Sequence, residues 1–251
     1  MTHTLHLTTI SSRIFLETPR QCIRIPHSLH DNIREDILLE SQLLLLSFAI
    51  GIQDAAAWPT YGCFASNQTG NMLFLALGGA GLATTADYNF RNLGMSLGAF
   101  IAGALVMGQI GNYVGVRQRW WLLLSSFVQS GLVFSAAGVS ERANALVTLF
   151  MLAFASGAQV AMGRALKITD ITTAMATAAY VDVVIDPGLL KGRNRGRNRR
   201  VLFLGLLMAG CFVGAVLVKV VGERGTLVVS GGCKIVVMVG FLFSRRVDMD
   251  C

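Results

Sequence analysis

The sequence predicts an all-α protein, a polytopic transmembrane helix bundle of about six to eight spans. Of its 251 residues 53% are hydrophobic and only 14% are charged, and mean hydropathy is +0.59. A soluble domain of this size carries roughly a quarter charged residues. Glycine is abundant at 27 and proline scarce at 4, which suits helices packed closely in lipid better than loops. Apolar stretches long enough to cross a bilayer recur along the chain, separated by short polar segments.

Residues 1–36 are polar, with Arg13, Arg20, Arg24 and Arg34 set against Glu17, Asp31, Glu35 and Asp36. They contain no apolar h-region of a cleavable signal, and the acidic residues argue against a transit peptide. The reading is a loosely structured cytosolic tail. It holds all four histidines, His3, His6, His27 and His30, taken as solvated. The transmembrane domain follows over 37–243.

Span one covers 37–58 around LLLLSFAI, and span two 64–82, polar at its start. Span three, 93–111, carries Gly94, Gly98 and Gly103, which let a neighbouring backbone approach. Span four starts at the interfacial pair Trp120–Trp121 and runs to 139. Span five is 143–163. The weakly apolar 168–185 reads as a span, a re-entrant element or an interfacial helix. Spans seven and eight, 201–221 and 226–243, complete the bundle, with Lys234 inside the last, snorkelling or lining the interior.

Two halves, 37–139 and 143–243, echo each other. Phe48, Gly51 and Gln53 recur 106 residues later as Phe154, Gly157 and Gln159. Gly98, Ala102 and Gly103 recur 107 later as Gly205, Ala209 and Gly210. Asn67, Thr69 and Gly70 align with Asp170, Thr172 and Thr173. Four spans per half would make the halves parallel, related by an axis along the membrane normal. With that parity both termini fall on the cytoplasmic side together with Arg91, Arg142, Arg245, Arg246 and the basic loop 191–200. Arg117, Arg119, Arg164, Lys167, Lys219 and Arg224 fall on the other. The loop itself (Lys191, Arg193, Arg195, Arg197, Arg199, Arg200) fits the positive-inside rule and contact with anionic lipid headgroups. Asp182 and Asp186 lie near it and read as solvated or paired with these arginines. No folded basic surface for nucleic acid accompanies it.

Polar groups inside the apolar region lose water at a cost of several kcal/mol each unless partnered, so they mark either a site or helix–helix bonds. Gln53, Asp54, Asn67, Gln68, Thr69, Gly70 and Asn71 form one such set, and Gln159, Asp170, Thr172 and Thr173 a second. On helices, Asn67, Gly70, Asn71 and Phe74 would share a face, as would Gly51, Asp54, Ala55 and Trp58. Asp54 could carry a proton or hold a cation, or cap a turn before Pro59. If the halves meet at a pseudo-twofold axis, Asn67 and Asp170 face one interface and these residues line a solute site.

Cys22, Cys63, Cys211, Cys233 and Cys251 are dispersed, so neither a metal site nor a disulfide framework is expected. No nucleotide, protease or hydrolase motif is present, and the chain is read as a non-enzyme without cofactor.

Asp54, Phe64 and above all the run Asn67-Gln68-Thr69-Gly70-Asn71 resemble the YoaK-like family of multipass membrane proteins, a domain of unknown function. The segments TDITTAMATAAYVD and GRNRR resemble its fungal members. The resemblance covers about 40–243; Pro59 and the strongly basic loop depart from it. It implies a multipass helical fold and no particular activity. The leading expectation is a secondary transporter or permease for a small solute of unknown identity. A non-transporting scaffold or assembly factor is the alternative.

Overall fold

A computed structural model describes residues 28–82, 89–139 and 145–247. Cys22, Cys251, His3, His6, His27, Arg142 and most of the tail lie outside the described residues. Seven helices follow one another, α1 Ile37–Tyr61, α2 Gln68–Gly79, α3 Phe90–Val114, α4 Arg119–Gly138, α5 Ala145–Ala165, α6 Ala176–Val184 and α7 Arg195–Phe243. The only extended pairing among the described residues is two isolated bridges, Asn32 with Gln118 and Ile33 with Arg246.

Five helices, α1, α3, α4, α5 and α7, are long and apolar enough to cross a membrane. α7 is broken at Gly222 (φ 74°, ψ 177°), a conformation that glycine adopts without steric cost, into segments 195–221 and 223–243. Large apolar side chains cover the outer faces, among them Ile101 and Leu105 of α3 and Val216 and Val220 of α7. The protein is therefore an integral multi-pass membrane protein.

Spans one, three, four and five of the sequence reading correspond to α1, α3, α4 and α5, and the last two to the segments of α7. The second and sixth are shorter than a crossing. α2 has 12 residues and α6 has 9, about 18 and 14 Å of helix against about 30 Å of hydrocarbon. Neither segment changes the side on which the chain emerges. Asn92, at the start of α3, donates through Nδ2 to the carbonyl of Tyr61 at the end of α1 (2.9 Å), so α1 ends and α3 begins at one end of the bundle. At the other end, Arg117 donates to the carbonyl of Leu166 after α5 (2.7 Å), and Arg199 of α7 pairs with Glu40 of α1 (2.5 Å). Residues 166–194 thus also begin and end at one side.

α1 and α7 (195–221) consequently run parallel, and so do α3 and α5. Parity fails for parallel halves. The start of α1, end of α3, start of α4, end of α5 and both ends of α7 gather at one face. Arg117, Arg119, Arg164 and Lys167 belong to that face, beside the basic run, and not to the opposite one. Arg195 to Arg200 are the first turns of α7 and not part of a loop. The tail is also more ordered than expected over 28–36. Ile33 is fully buried, Ile33 N–H donates to the carbonyl of Arg117 and Arg34 N–H to that of Arg245 (both 2.9 Å), and Asp36 caps α1 through Leu39 N–H.

Two close helix contacts hold the centre. A Cβ on Gly51 would collide with the Leu207 carbonyl, and one on Gly210 with that of Phe48, binding α1 to α7. A Cβ on Gly103 would collide with the Phe154 carbonyl, and one on Gly157 with that of Phe100, binding α3 to α5. Of the three glycines expected to admit a neighbour in α3, only Gly103 does so; Gly94 and Gly98 have nothing within 4 Å.

Candidate functional site

The polar residues fall into three places. The first lies where α1 meets the segment before α2. Gly62 (φ 63°) turns the chain back after α1, and the returning backbone needs acceptors. Asp54 supplies them: Oδ1 accepts from Ala65 N–H (2.9 Å) and Ser66 N–H (2.8 Å), and Oδ2 from the Ser66 hydroxyl (2.5 Å). It caps this reversal and not the turn before Pro59.

Asn71, 1% exposed, clamps the same segment. Its Oδ1 accepts from Phe64 N–H (2.9 Å), and its Nδ2 donates to the Phe64 carbonyl (2.8 Å), Gln68 Oε1 (3.0 Å) and Ser96 Oγ (3.2 Å). Gln68 donates to the Ala65 carbonyl and to Ser96. Asn67 is the exposed N-cap of α2, accepting from Gly70 N–H, and Thr69 is exposed. Gly70 lies against the Phe64 ring, which stacks on Trp58 at 4.6 Å. This cluster bonds inwardly. Ser96, its hub on α3, carried no sequence signal, because a lone serine in an apolar helix is unremarkable.

The second place is the centre of the α1–α5 contact. Gln53 and Gln159 are both fully buried. Gln53 Nε2 donates to the Leu152 carbonyl and Ser156 Oγ, and Gln159 Nε2 donates to the Leu46 carbonyl. Lys234 of α7, 1% exposed, donates to Gln159 Oε1, so it lines the interior and does not snorkel.

The third place is the charged end. Residues 166–175 are not helical, so Asp170, Thr173, Ala174 and Thr177 do not form a helix face. Asp170 pairs with Arg200 (2.6 Å) and Arg199 (3.6 Å) and lies at the positive N-terminus of α7 beside Gly196. Arg200 also reaches Asp182 (3.8 Å) and Asp186 (3.5 Å), and Arg199 reaches Glu35 (2.8 Å). Thr172 bonds the Met175 carbonyl. Lys167 (φ 60°) and Thr173 (φ 61°) hold left-handed backbone that side chains disfavour, and the buried Thr173 hydroxyl has no hydrogen-bond partner. Asp170, Thr172, Asp182, Arg164, Lys167 and Arg200 are among the residues around a cavity of about 410 Å³ beside α6.

Asn67 and Asp170 therefore do not meet at one interface. Asp54 marks the level of the first cluster and Glu40 that of the third, about 21 Å apart along α1 at 1.5 Å per residue.

These features define a multi-pass helical membrane protein whose bundle includes two helices too short to cross. Residues 42–240 match the model of a family described as "Protein of unknown function (DUF1275)", and the chain belongs to that family. No curated protein and no solved structure matches it.

Proposed function

We propose that the chain is a secondary transporter of a small solute, built from two inverted halves. The observation that carries this reading is the pair α2 and α6. Each is short, each follows the first helix of its half, and the two return to opposite ends of the bundle. Short, interrupted segments in corresponding positions of two halves mark the substrate region of many transporters. With three crossings per half, the halves run in opposite directions about an axis in the membrane plane. The matched contacts support it: Gly51 and Gly210 join α1 to α7 as Gly157 and Gly103 join α5 to α3.

The solute site in this reading is the cavity beside α6, with Asp170, Thr172, Asp182, Arg164 and Lys167 at its wall. Asp54, Asn67, Gln68, Thr69, Gly70 and Asn71 anchor α2, while Gln53 and Gln159 join the halves. The chain moves solutes and does not transform them. The arginine-rich face is the cytoplasmic one, which puts both termini inside and Arg193, Arg195 and Arg197 near anionic headgroups.

The test is flux into proteoliposomes of four labelled probes: a polyol, a zwitterionic amino acid, a dicarboxylate and an organic monocation. At least one should enter faster than into protein-free vesicles, and Asp170→Asn should change its rate. No flux with correctly folded protein overturns the reading. A scaffold without transport is the second reading. Its support is the inward-bonded Asp54–Asn71–Ser96 cluster, which looks like helix glue.

A further inference from the structure

Lys234 is the one cation of the described residues that lies at mid-helix in the centre of the apolar bundle. An ammonium carries three N–H donors, and Lys234 donates to the amide oxygen of Gln159. Gln159 is fixed in turn by the Leu46 carbonyl, so the acceptor cannot swing away without breaking the α1–α5 contact. Seven ion pairs join charged groups among the described residues, and none includes Lys234. An intramembrane charge without a counter-ion is a functional position by default.

The surrounding helices offer nothing to neutralise it. On α1, Glu40 is engaged by Arg195 and Arg199, and Asp54 is bound to Ser66 near the opposite end. On α4, Arg119 donates to the Leu242 and Ser244 carbonyls, two turns further along α7. On α5, Arg164 lies at the membrane edge. On α7 itself the buried Glu223 lies eleven residues before Lys234, about 16 Å along the helix.

The position is also asymmetric. The oxygen corresponding to Gln159 Oε1, Gln53 Oε1, is buried with no hydrogen-bond partner. The amine is shut off from solvent beside one neutral acceptor. The ligand that needs no room is a proton.

We propose that Lys234 is the proton-binding group of the bundle, held by Gln159 at the junction of the two halves. A proton passes from a water-borne acid to the amine lone pair, giving the ammonium and the conjugate base, and returns to a base on release. As the coupling group of a transport cycle this rests on the transporter reading. Proton binding itself can be measured without any solute.

The experiment is a pH jump on full-length protein in vesicles adsorbed to a solid-supported membrane, which reads charge displaced as protons bind inside the bilayer. The wild-type protein should give a transient current. Lys234→Met and Lys234→Arg should both lose it, the arginine because it keeps a charge that does not titrate. Lys219→Gln, an exposed lysine on the same helix, should keep it. Should the methionine variant fail to fold, Lys234→Gln retains a donor for Gln159 and replaces it. A full current in the Lys234 variants, or none in the wild type, overturns the proposal. Proton current with no flux of any probe would instead count against transport alone.

Discussion

Gln53 and Gln159 reach across the α1–α5 contact in opposite senses. Each side-chain amide donates to the carbonyl of the residue seven positions before the other, Leu152 at 3.0 Å and Leu46 at 3.1 Å. The two bonds are alike, but the amide oxygens are not. That of Gln159 takes Lys234, whereas that of Gln53 is buried without a partner. Gln53→Met removes the donor bonds to Leu152 and Ser156 together with an orphaned acceptor, and should cost at most about 1 kcal/mol. Gln159→Met leaves the Lys234 amine without an acceptor, and should cost about 1–3 kcal/mol. Thermal unfolding in one detergent compares them, and equal losses would contradict this account.

Glycines in α3 separate close packing from composition. Gly103→Ala forces a methyl onto the Phe154 carbonyl and should destabilise by about 1–3 kcal/mol as α3 and α5 move apart. Gly98→Ala meets nothing within 4 Å, and should be neutral or gain up to about 1 kcal/mol from helix propensity. A Gly98→Ala variant as damaged as Gly103→Ala would show that the helix contact is misplaced.

The α2 anchor makes a graded series. Asn71→Ala strips partners from both the N–H and the carbonyl of Phe64, though Ser96 still bonds the carbonyl, so a loss of about 1–3 kcal/mol is expected. Asn67→Ala removes an exposed cap, costing about 0.5–1 kcal/mol. Thr69→Ala, on the exposed side of α2, should lie within about 0.5 kcal/mol of wild type. Under the scaffold reading all three leave probe flux at the protein-free level. A ranking led by Thr69 would mean the exposed face contacts something.

Much of this architecture was legible because lipid sets element length. An unbroken apolar run of about 20 residues has few alternatives to a spanning helix. Hence α1, α3, α4 and α5 could be read directly. Asn71 was legible as a buried polar group for the same reason. Hydropathy cannot tell a crossing from a chain that dips and returns, since both are apolar. The reversal at Gly62 depends on Asp54 meeting backbone N–H groups 11 and 12 residues further on. The charged end was equally hidden. Glu40 finds Arg199 across 159 positions, a pairing no local pattern encodes. A short α2 inverts α3, α4 and α5 and carries the charges of Arg117, Arg119, Arg164 and Lys167 to the other side, and a short α6 then restores the direction of α7.

That inversion can be tested by labelling from one side. In a background with the other cysteines replaced, Lys167→Cys and Lys191→Cys should react with an impermeant maleimide from the same face of sealed vesicles. Lys219→Cys and Arg224→Cys should react only from the other. Parallel halves would instead place Lys167→Cys with Lys219→Cys, and that result would refute the inverted arrangement. Native Cys63 provides an internal check. It is fully buried, and burial, with the Asp54 charge as a lesser cause, pushes its thiol up to about 12. Thiolate is the reactive form, so Cys63 should stay silent at pH 8 and gain reactivity only as the pH approaches that value or as the fold is lost. Rapid labelling of Cys63 at pH 8 in the folded protein would mean that the segment after α1 is open to water and does not pack back on Asp54.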